Sequence, residues 1–173
     1  NRAEKVKVLM ASRLLPDKGV TEFCSAAGAI IRRAVFNVEF YLAGPFDPDS
    51  PGAFSEAQIV EMCNSNNVRF LGNRNDLHRV LAETDVFVLP SYYAEGVPKV
   101  LLEAAASSCA VITTDHPGCR DAIVPGETGL LVKPKDTSSL IDGLVRLLSD
   151  RDLIVSMGMA GRELAVERFS VSK

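Results

Sequence analysis

Short apolar runs alternate with longer amphipathic stretches along the chain, and the alternation predicts a regular βα order. The runs at 6–11, 38–43, 68–71, 85–89, 110–114 and 130–132 are rich in aliphatic and β-branched residues, as strands covered on both faces are. Apolar residues at helical spacing fill the intervals at 20–33, 55–64, 75–82, 98–108 and 137–149, and a helical tail covers 152–170. This order predicts an α/β fold with a doubly wound parallel sheet, helices on both faces, and any ligand at the carboxyl ends of the strands.

The 173 residues read as one domain, 1–173, because no internal repeat or low-complexity linker divides them and the length supports a single buried core. Hydrophobic residues make up 47% of the chain but lie in short segments, none near the roughly 20 apolar residues of a membrane span. A soluble protein is therefore expected. The net charge of −3 and the lack of a basic block argue against a nucleic-acid partner. Cys24, Cys63, Cys109 and Cys119 have neither close pairing nor zinc-type spacing and follow no secretory signal. Reduced, packed thiols in a cytoplasmic protein are the expectation. His78 and His116 have no placed partners, so no Ser/His/Asp triad is drawn from them.

Candidate chemistry concentrates in Ser91-Tyr-Tyr-Ala-Glu95-Gly-Val-Pro-Lys-Val-Leu-Leu-Glu103. Pro90 closes the preceding strand, Gly96 frees the loop, and Pro98 carries the fixed φ of a first helical turn, so a helix is predicted to begin near residue 97. Its unpaired first-turn amides and positive dipole end suit an anionic group such as a diphosphate. Lys99 opposes that dipole, and a bound anion gives one reason for a cation there. Glu103 follows one turn later, and Glu95 stands in the loop ahead. On spacing alone, Lys99 and Glu103 are equally well read as an ordinary surface pair, although Lys before Glu is the weaker order.

This segment resembles the EGxPxxxxE signature of family 4 of the retaining glycosyltransferases. Further segments agree in order and spacing over about 6–170: Ala11-Ser-Arg13-Leu-Leu-Pro-Asp-Lys18-Gly19, Phe70-Leu-Gly72, Pro117-Gly-Cys-Arg-Asp121, Gly126-Glu-Thr-Gly129, and the tail's Met157-Gly-x-x-Gly161-Arg162 and Arg168-Phe169-Ser170. The resemblance implies a Rossmann-like half of the two-domain GT-B architecture, the half that binds the nucleotide-sugar donor. It also implies an amino-terminal acceptor domain and a final crossover helix beyond these residues. By the same resemblance, Arg13 and Lys18 contact the donor diphosphate, and Glu95 positions the sugar and supports its charge-developing carbon. Gly72, Gly96, Val97, Pro98 and Lys99 border the donor, and Glu103 accepts hydrogen bonds from the ribose hydroxyls. Without the resemblance, Arg13 and Lys18 are equally well exposed basic residues in a turn.

The implied reaction moves a sugar, with retention, from a nucleoside diphosphate donor to a glycan or lipid-linked acceptor; UDP with a hexose or N-acetylhexosamine is the first expectation. On this reading Glu95→Gln largely abolishes transfer by the full-length enzyme and leaves nucleotide binding intact. No cofactor or metal is implied: Asp47 and Asp49, in the Pro/Gly-rich connection 44–52, read as loop chemistry at a mobile edge of the site. Peripheral membrane association at the inner face of a membrane would belong to the acceptor half. Three features depart from the family pattern: Ser12 stands in place of a common glycine, Ser107-Ser108 in place of a small-residue and glycine turn, and Ala94 in place of a basic residue, which weakens any choice of donor sugar. Two alternatives stay open here. One is a noncatalytic nucleotide-sugar or partner module that kept the fold. The other is an unrelated doubly wound domain, flavodoxin-like or dinucleotide-binding, although no Gly-x-Gly-x-x-Gly follows the first strand.

Overall fold

A computed structural model describes residues 4–171, without the side chains of 169–171, so those of Phe169 and Ser170 in the tail motif lie outside the described residues. Six strands, β1 (Val6–Ala11), β2 (Val38–Ala43), β3 (Val68–Phe70), β4 (Val86–Leu89), β5 (Ala110–Thr114) and β6 (Gly129–Val132), form one sheet in the order β3-β2-β1-β4-β5-β6. Every neighbouring pair is parallel, with Val8 opposite Phe40 on one side and Val86 on the other. Parallel neighbours require crossovers: the helices α1 (Val20–Arg33), α2 (Glu56–Ser65), α3 (Leu77–Ala82) and α4 (Lys99–Ala106) lie in those from β1 to β5, a 3-10 turn at Arg120–Ala122 lies in that from β5 to β6, and α5 (Thr137–Leu148) and α6 (Arg151–Val171) follow the last strand. Packing of α1 on α2 and α5, and of α4 on α3 and α6, sets one helical layer on each face.

The burial explains the apolar runs. Every residue of β4 and β5 is buried, and Phe23, Phe40 and Phe87 are wholly enclosed. Phe23 of α1 meets Phe40 of β2 edge to face, with centroids 6.0 Å apart, which ties the helix to the strand beneath it. Truncating Phe87 to Ala would remove contacts worth about 3–5 kcal/mol. On the other face, α6 comes close to the turn before β5: a Cβ on Gly158 would fall 2.1 Å from the Ser108 carbonyl oxygen. Ser108 itself takes φ +66°, so it fills the left-handed position where glycine is favoured, and Arg162 ties α6 to the Ala106 carbonyl at 2.9 Å.

Helix starts differ from the sequence expectation where a side chain is used otherwise. Ser55 lies outside α2 as its N-cap, in a reciprocal capping box with Gln58. α3 begins at Leu77, since Asp76 turns its carboxylate to Arg74 rather than to the helix amides. Pro98 is not in the first turn of α4: at φ −61° and ψ 125° it is the extended residue before the helix, and Lys99 is the first helical residue. The tail is a single helix of 21 residues.

β1 is the point where the strand order reverses, since the chain moves outward through β2 and β3 and then returns to β4 on the other side. At such a switch point a ligand crevice is expected beyond the carboxyl ends of the strands. The candidate residues of the sequence lie around it.

Candidate functional site

The loop after β1 contains a short 3-10 turn, Pro16–Lys18, that ends at Gly19. Gly19 has φ +87°, and a Cβ there would fall 2.3 Å from the Pro90 carbonyl oxygen, so this loop rests directly on the loop after β4. Two hydrogen bonds reinforce the contact: the Tyr92 N–H donates to the Asp17 carbonyl at 2.8 Å, and the Ser91 hydroxyl donates to the same oxygen at 3.3 Å. From β5, the Thr114 hydroxyl donates to the Ser91 carbonyl at 2.5 Å and Thr113 to that of Leu89 at 2.8 Å. Gly118 completes the support. At φ +88°, its Cβ would fall 2.3 Å from the Glu95 carbonyl oxygen, so the turn after β5 lies against the backbone of the Glu95 loop.

Lys18 and Glu95 meet in this frame. The Lys18 Nζ lies 2.6 Å from Glu95 Oε1 and 5.0 Å from the centre of the Tyr93 ring. Lys18 is 6% exposed and so is not the exposed turn cation that its sequence context also allowed. A lysine is rarely so buried unless it is paired, and here a carboxylate and an aromatic face together offset the lost hydration.

Arg13 stays half-exposed and lies 3.2 Å from Asp47 Oδ2, which also accepts from the Ser50 hydroxyl at 2.8 Å. That carboxylate thus belongs to the connection after β2, which Phe46 fixes against Phe70 of β3 with ring centroids 5.9 Å apart. Ser12 does not crowd the site through its side chain; its carbonyl is the close neighbour, 1.7 Å from where a Gly44 Cβ would stand. Arg13, Gly44, Asn73, Lys99, Val100 and Glu103 border a groove of about 300 Å³ above β1, β2 and the start of α4. Lys99 Nζ is 3.9 Å from Glu103 Oε1, so the surface pairing allowed by the spacing is present, with Lys99 almost fully exposed.

The structure thus brings Arg13, Lys99 and Glu103 to one groove, and Lys18 and Glu95 to one ion pair beside it. Gly72 adopts φ +72° next to the groove, and its carbonyl accepts from the Gly44 N–H at 2.9 Å. Gly96 is exposed in the Glu95 loop, while Pro98 is buried at the helix start. Val97 sends its side chain elsewhere, into an apolar hollow of about 210 Å³ shared with Ala105, Leu164 and Ala165.

Asp17, Tyr92 and Tyr93 were given no role by sequence reasoning, and Asp47, read there as loop chemistry, proves to be the partner of Arg13. Burial, with the Glu22 and Asp17 carboxylates, pushes the Tyr92 phenol above its ordinary value. It is therefore a neutral group near pH 7. Its contact with the β1 loop, through the Asp17 carbonyl, could have been suspected only from the motif spacing, since tyrosines in a loop carry no signal of their own.

Residues 5–150 match the family model described as glycosyl transferases group 1. Among relatives, the N,N'-diacetylbacillosaminyl-diphospho-undecaprenol alpha-1,3-N-acetylgalactosaminyltransferase of Campylobacter jejuni is 35% identical over 96% of this chain and 42% of its own length. The UDP-Gal:alpha-D-GlcNAc-diphosphoundecaprenol alpha-1,3-galactosyltransferase of Escherichia coli is 31% identical over 95% of this chain and 42% of its own. The chain thus spans about two fifths of the length of these curated relatives. Among solved structures, sucrose-phosphate synthase from Thermosynechococcus elongatus superposes with TM-score 0.82 at 27% identity, over 96% of this chain and 42% of that one. The C-terminal domain of a group 1 glycosyl transferase from Francisella tularensis gives TM-score 0.81 at 25% identity, over 95% and 86%. With a family match over most of its length and a fold shared with one half of GT-B glycosyltransferases, this chain belongs to the group 1 glycosyltransferases.

Proposed function

We propose that this chain is the donor-binding half of a retaining glycosyltransferase that moves a hexose or N-acetylhexosamine from a UDP-sugar to a glycan or lipid-linked acceptor. The observation that carries the proposal is the partly buried Lys18–Glu95 pair, at the switch point of the sheet and beside a groove that holds Arg13, Lys99 and Glu103. A parallel sheet alone needs none of these charges. Two relatives are named for transfer to diphospho-undecaprenol-linked saccharides, and one of them for UDP-Gal, which supports this donor and acceptor class.

In this reading the diphosphate lies between Arg13 and Lys18, with the free amides of the loop 95–97 and of the first turn of α4 facing it. As the anomeric bond breaks, negative charge grows on the leaving diphosphate. Cations already fixed there stabilise the transition state more than the bound donor. Glu103, acceptor-only when ionised, takes the ribose hydroxyls. Glu95 lies where it orients the sugar and offsets positive charge at the reacting carbon. Charge at the diphosphate comes from Arg13 and Lys18, so the proposal includes transfer without a metal ion, and undiminished rates in EDTA are expected. The half of the protein that would hold the acceptor lies outside these residues, and the proposal places the enzyme at the inner face of a membrane. Among the described residues no helix is long and apolar enough to cross one.

Calorimetric titration of the chain with UDP, GDP and ADP tests the donor assignment. UDP is expected to bind best, and Arg13→Ala and Glu103→Ala each to weaken it by roughly 1–3 kcal/mol, or about 5- to 150-fold. Equal binding of all three nucleotides, or no effect of either substitution, would sink it.

A further inference from the structure

Two of the four free cysteines meet away from the crevice, in the helical layer that α1 and α2 share. Cys24 lies on α1 and Cys63 on α2. The two helices approach closely: a Cβ on Gly28 would fall 2.2 Å from Asn66 Oδ1. Gly28 is one turn beyond Cys24 and Asn66 one turn beyond Cys63, so the same close approach sets the two thiols against each other. The Cys24 S–H donates to the Cys63 sulfur. That hydrogen bond holds the Cys63 thiol below its ordinary range and, together with burial, pushes Cys24 up.

Exposure separates the pair as well. Cys24 is 0% exposed, as are Cys109 and Cys119, whereas Cys63 keeps 2% and forms part of the wall of a hollow of about 390 Å³ with Asn64, Asn67 and Phe40. A molecule as small as hydrogen peroxide fits that hollow. The thiolate is the reactive form of cysteine, so a thiol that accepts a hydrogen bond at the wall of a hollow reacts ahead of thiols enclosed in the core. Cys109 is the contrast: its S–H donates to the Leu81 and Thr84 carbonyls, and burial keeps it protonated.

We infer that Cys63 and Cys24 form a peroxide-sensitive dithiol site, with Cys63 as the attacking thiol and Cys24 as its resolving partner. The Cys63 sulfur attacks one oxygen of hydrogen peroxide; the O–O bond breaks, and the leaving hydroxide takes up the proton of the Cys63 thiol as water. The sulfenic acid so formed condenses with Cys24: an S–S bond forms, the S–O bond breaks, and the Cys24 proton leaves with the hydroxyl as a second water. Two thiols are oxidised by two electrons, and one peroxide is reduced to two waters. Sulfurs in a disulfide lie about 2.0 Å apart, which thiols already in contact reach by a local shift. Exchange with a small thiol reverses the step. The link joins the helix that follows the Arg13 loop to the helix that follows the Asp47 connection, so both loops lead into the linked pair. This chemistry holds whether or not the chain binds a nucleotide sugar.

The test is treatment of the folded chain with hydrogen peroxide, then unfolding, blocking of the remaining thiols, and peptide mapping by mass spectrometry without reductant. A Cys24–Cys63 link is expected, with Cys109 and Cys119 recovered as blocked thiols, and dithiothreitol is expected to reverse it. Thermal unfolding gives a readout that needs no variant. A closed loop of roughly 40 residues is expected to raise the Tm of the oxidised chain by about 5 °C or more, and reduction to remove the gain. In Cys24→Ser, dimedone is expected to trap Cys63 as its sulfenic acid; in Cys63→Ser it is expected to trap nothing at Cys24. Exposed Met159 calibrates the dose. Cys24 and Cys63 still reduced once Met159 is oxidised, a link from either to Cys109 or Cys119, trapping at Cys24 rather than Cys63, or a Tm that falls on oxidation would overturn the site.

Discussion

Replacing Glu95 with glutamine separates two consequences that the sequence alone merges. The carboxylate is the charged partner of Lys18, which is 8% exposed at its side chain against 27% for Glu95, at 2.6 Å. Breaking a fully buried pair costs about 3–5 kcal/mol. Water reaches Glu95, and glutamine keeps an oxygen that accepts from Lys18, so the expected loss is lower, about 1–2 kcal/mol. For a domain of this length that lowers Tm by about 2–8 °C. Nucleotide binding, which the sequence reading leaves intact, is now expected to tighten. Removing a negative charge from beside the diphosphate position is worth about 1 kcal/mol, or about fivefold in affinity. The assay is thermal unfolding with and without UDP: Glu95→Gln alone melts lower, and UDP raises its Tm by more than that of the parent chain. Weaker UDP stabilisation in Glu95→Gln, or an unchanged Tm without nucleotide, would refute the reasoning that Lys18 is held by Glu95 until a diphosphate arrives.

Asp47→Asn removes the carboxylate that competes for Arg13; the pair is partly exposed and worth about 0.2–1 kcal/mol, so UDP should bind up to about fivefold tighter at low salt by calorimetry. That gain should shrink as ionic strength rises to about 1 M, where charges are screened within about 3 Å. The Cys109 thiol is pushed up to about 12 by burial and then by the Asp85 carboxylate. An unfolded thiol ionises near 8.5, so the folded chain holds that proton more tightly. The stability this contributes is fully present below about pH 8.5 and is lost as pH rises towards 12, because the unfolded state ionises first. Denaturant midpoints measured from pH 8 upwards should therefore fall, and fall less steeply in Cys109→Ala.

Much of the fold was legible because the strands are covered on both faces. β1, β2 and β5 have the bounds that their apolar runs predict. β6 begins one residue earlier than its aliphatic run. Gly129 adds no side chain to the pattern, yet a Cβ there would fall 2.3 Å from the Val111 carbonyl oxygen, so a close strand approach selects it. Pro98 misled about the start of α4 because its φ suits both a first helical residue and the extended residue before it, and ψ decides between them.

The candidate site was legible as a set of residues but not as pairs. Glu95 and Glu103 lie on one segment, and their common neighbourhood follows from the loop-to-helix pattern. Lys18 and Glu95 are 77 positions apart, and Arg13 and Asp47 are 34 apart. They meet because β1 pairs with β4 on one side and β2 on the other, a fact of sheet order that local periodicity does not carry. The burial of Lys18 comes from the same source. The contact of Tyr93 with Lys18 became visible only once two loops were placed face to face.

The central claim is that the crevice above β1 and β4 holds the diphosphate of a nucleotide sugar. A crystal structure of the chain grown with UDP tests it most directly. The account predicts phosphate oxygens within about 3 Å of the Arg13 guanidinium and the Lys18 ammonium, with the ribose hydroxyls on Glu103. UDP bound in another hollow, or phosphates facing solvent with Lys18 and Arg13 still held by Glu95 and Asp47, would contradict it.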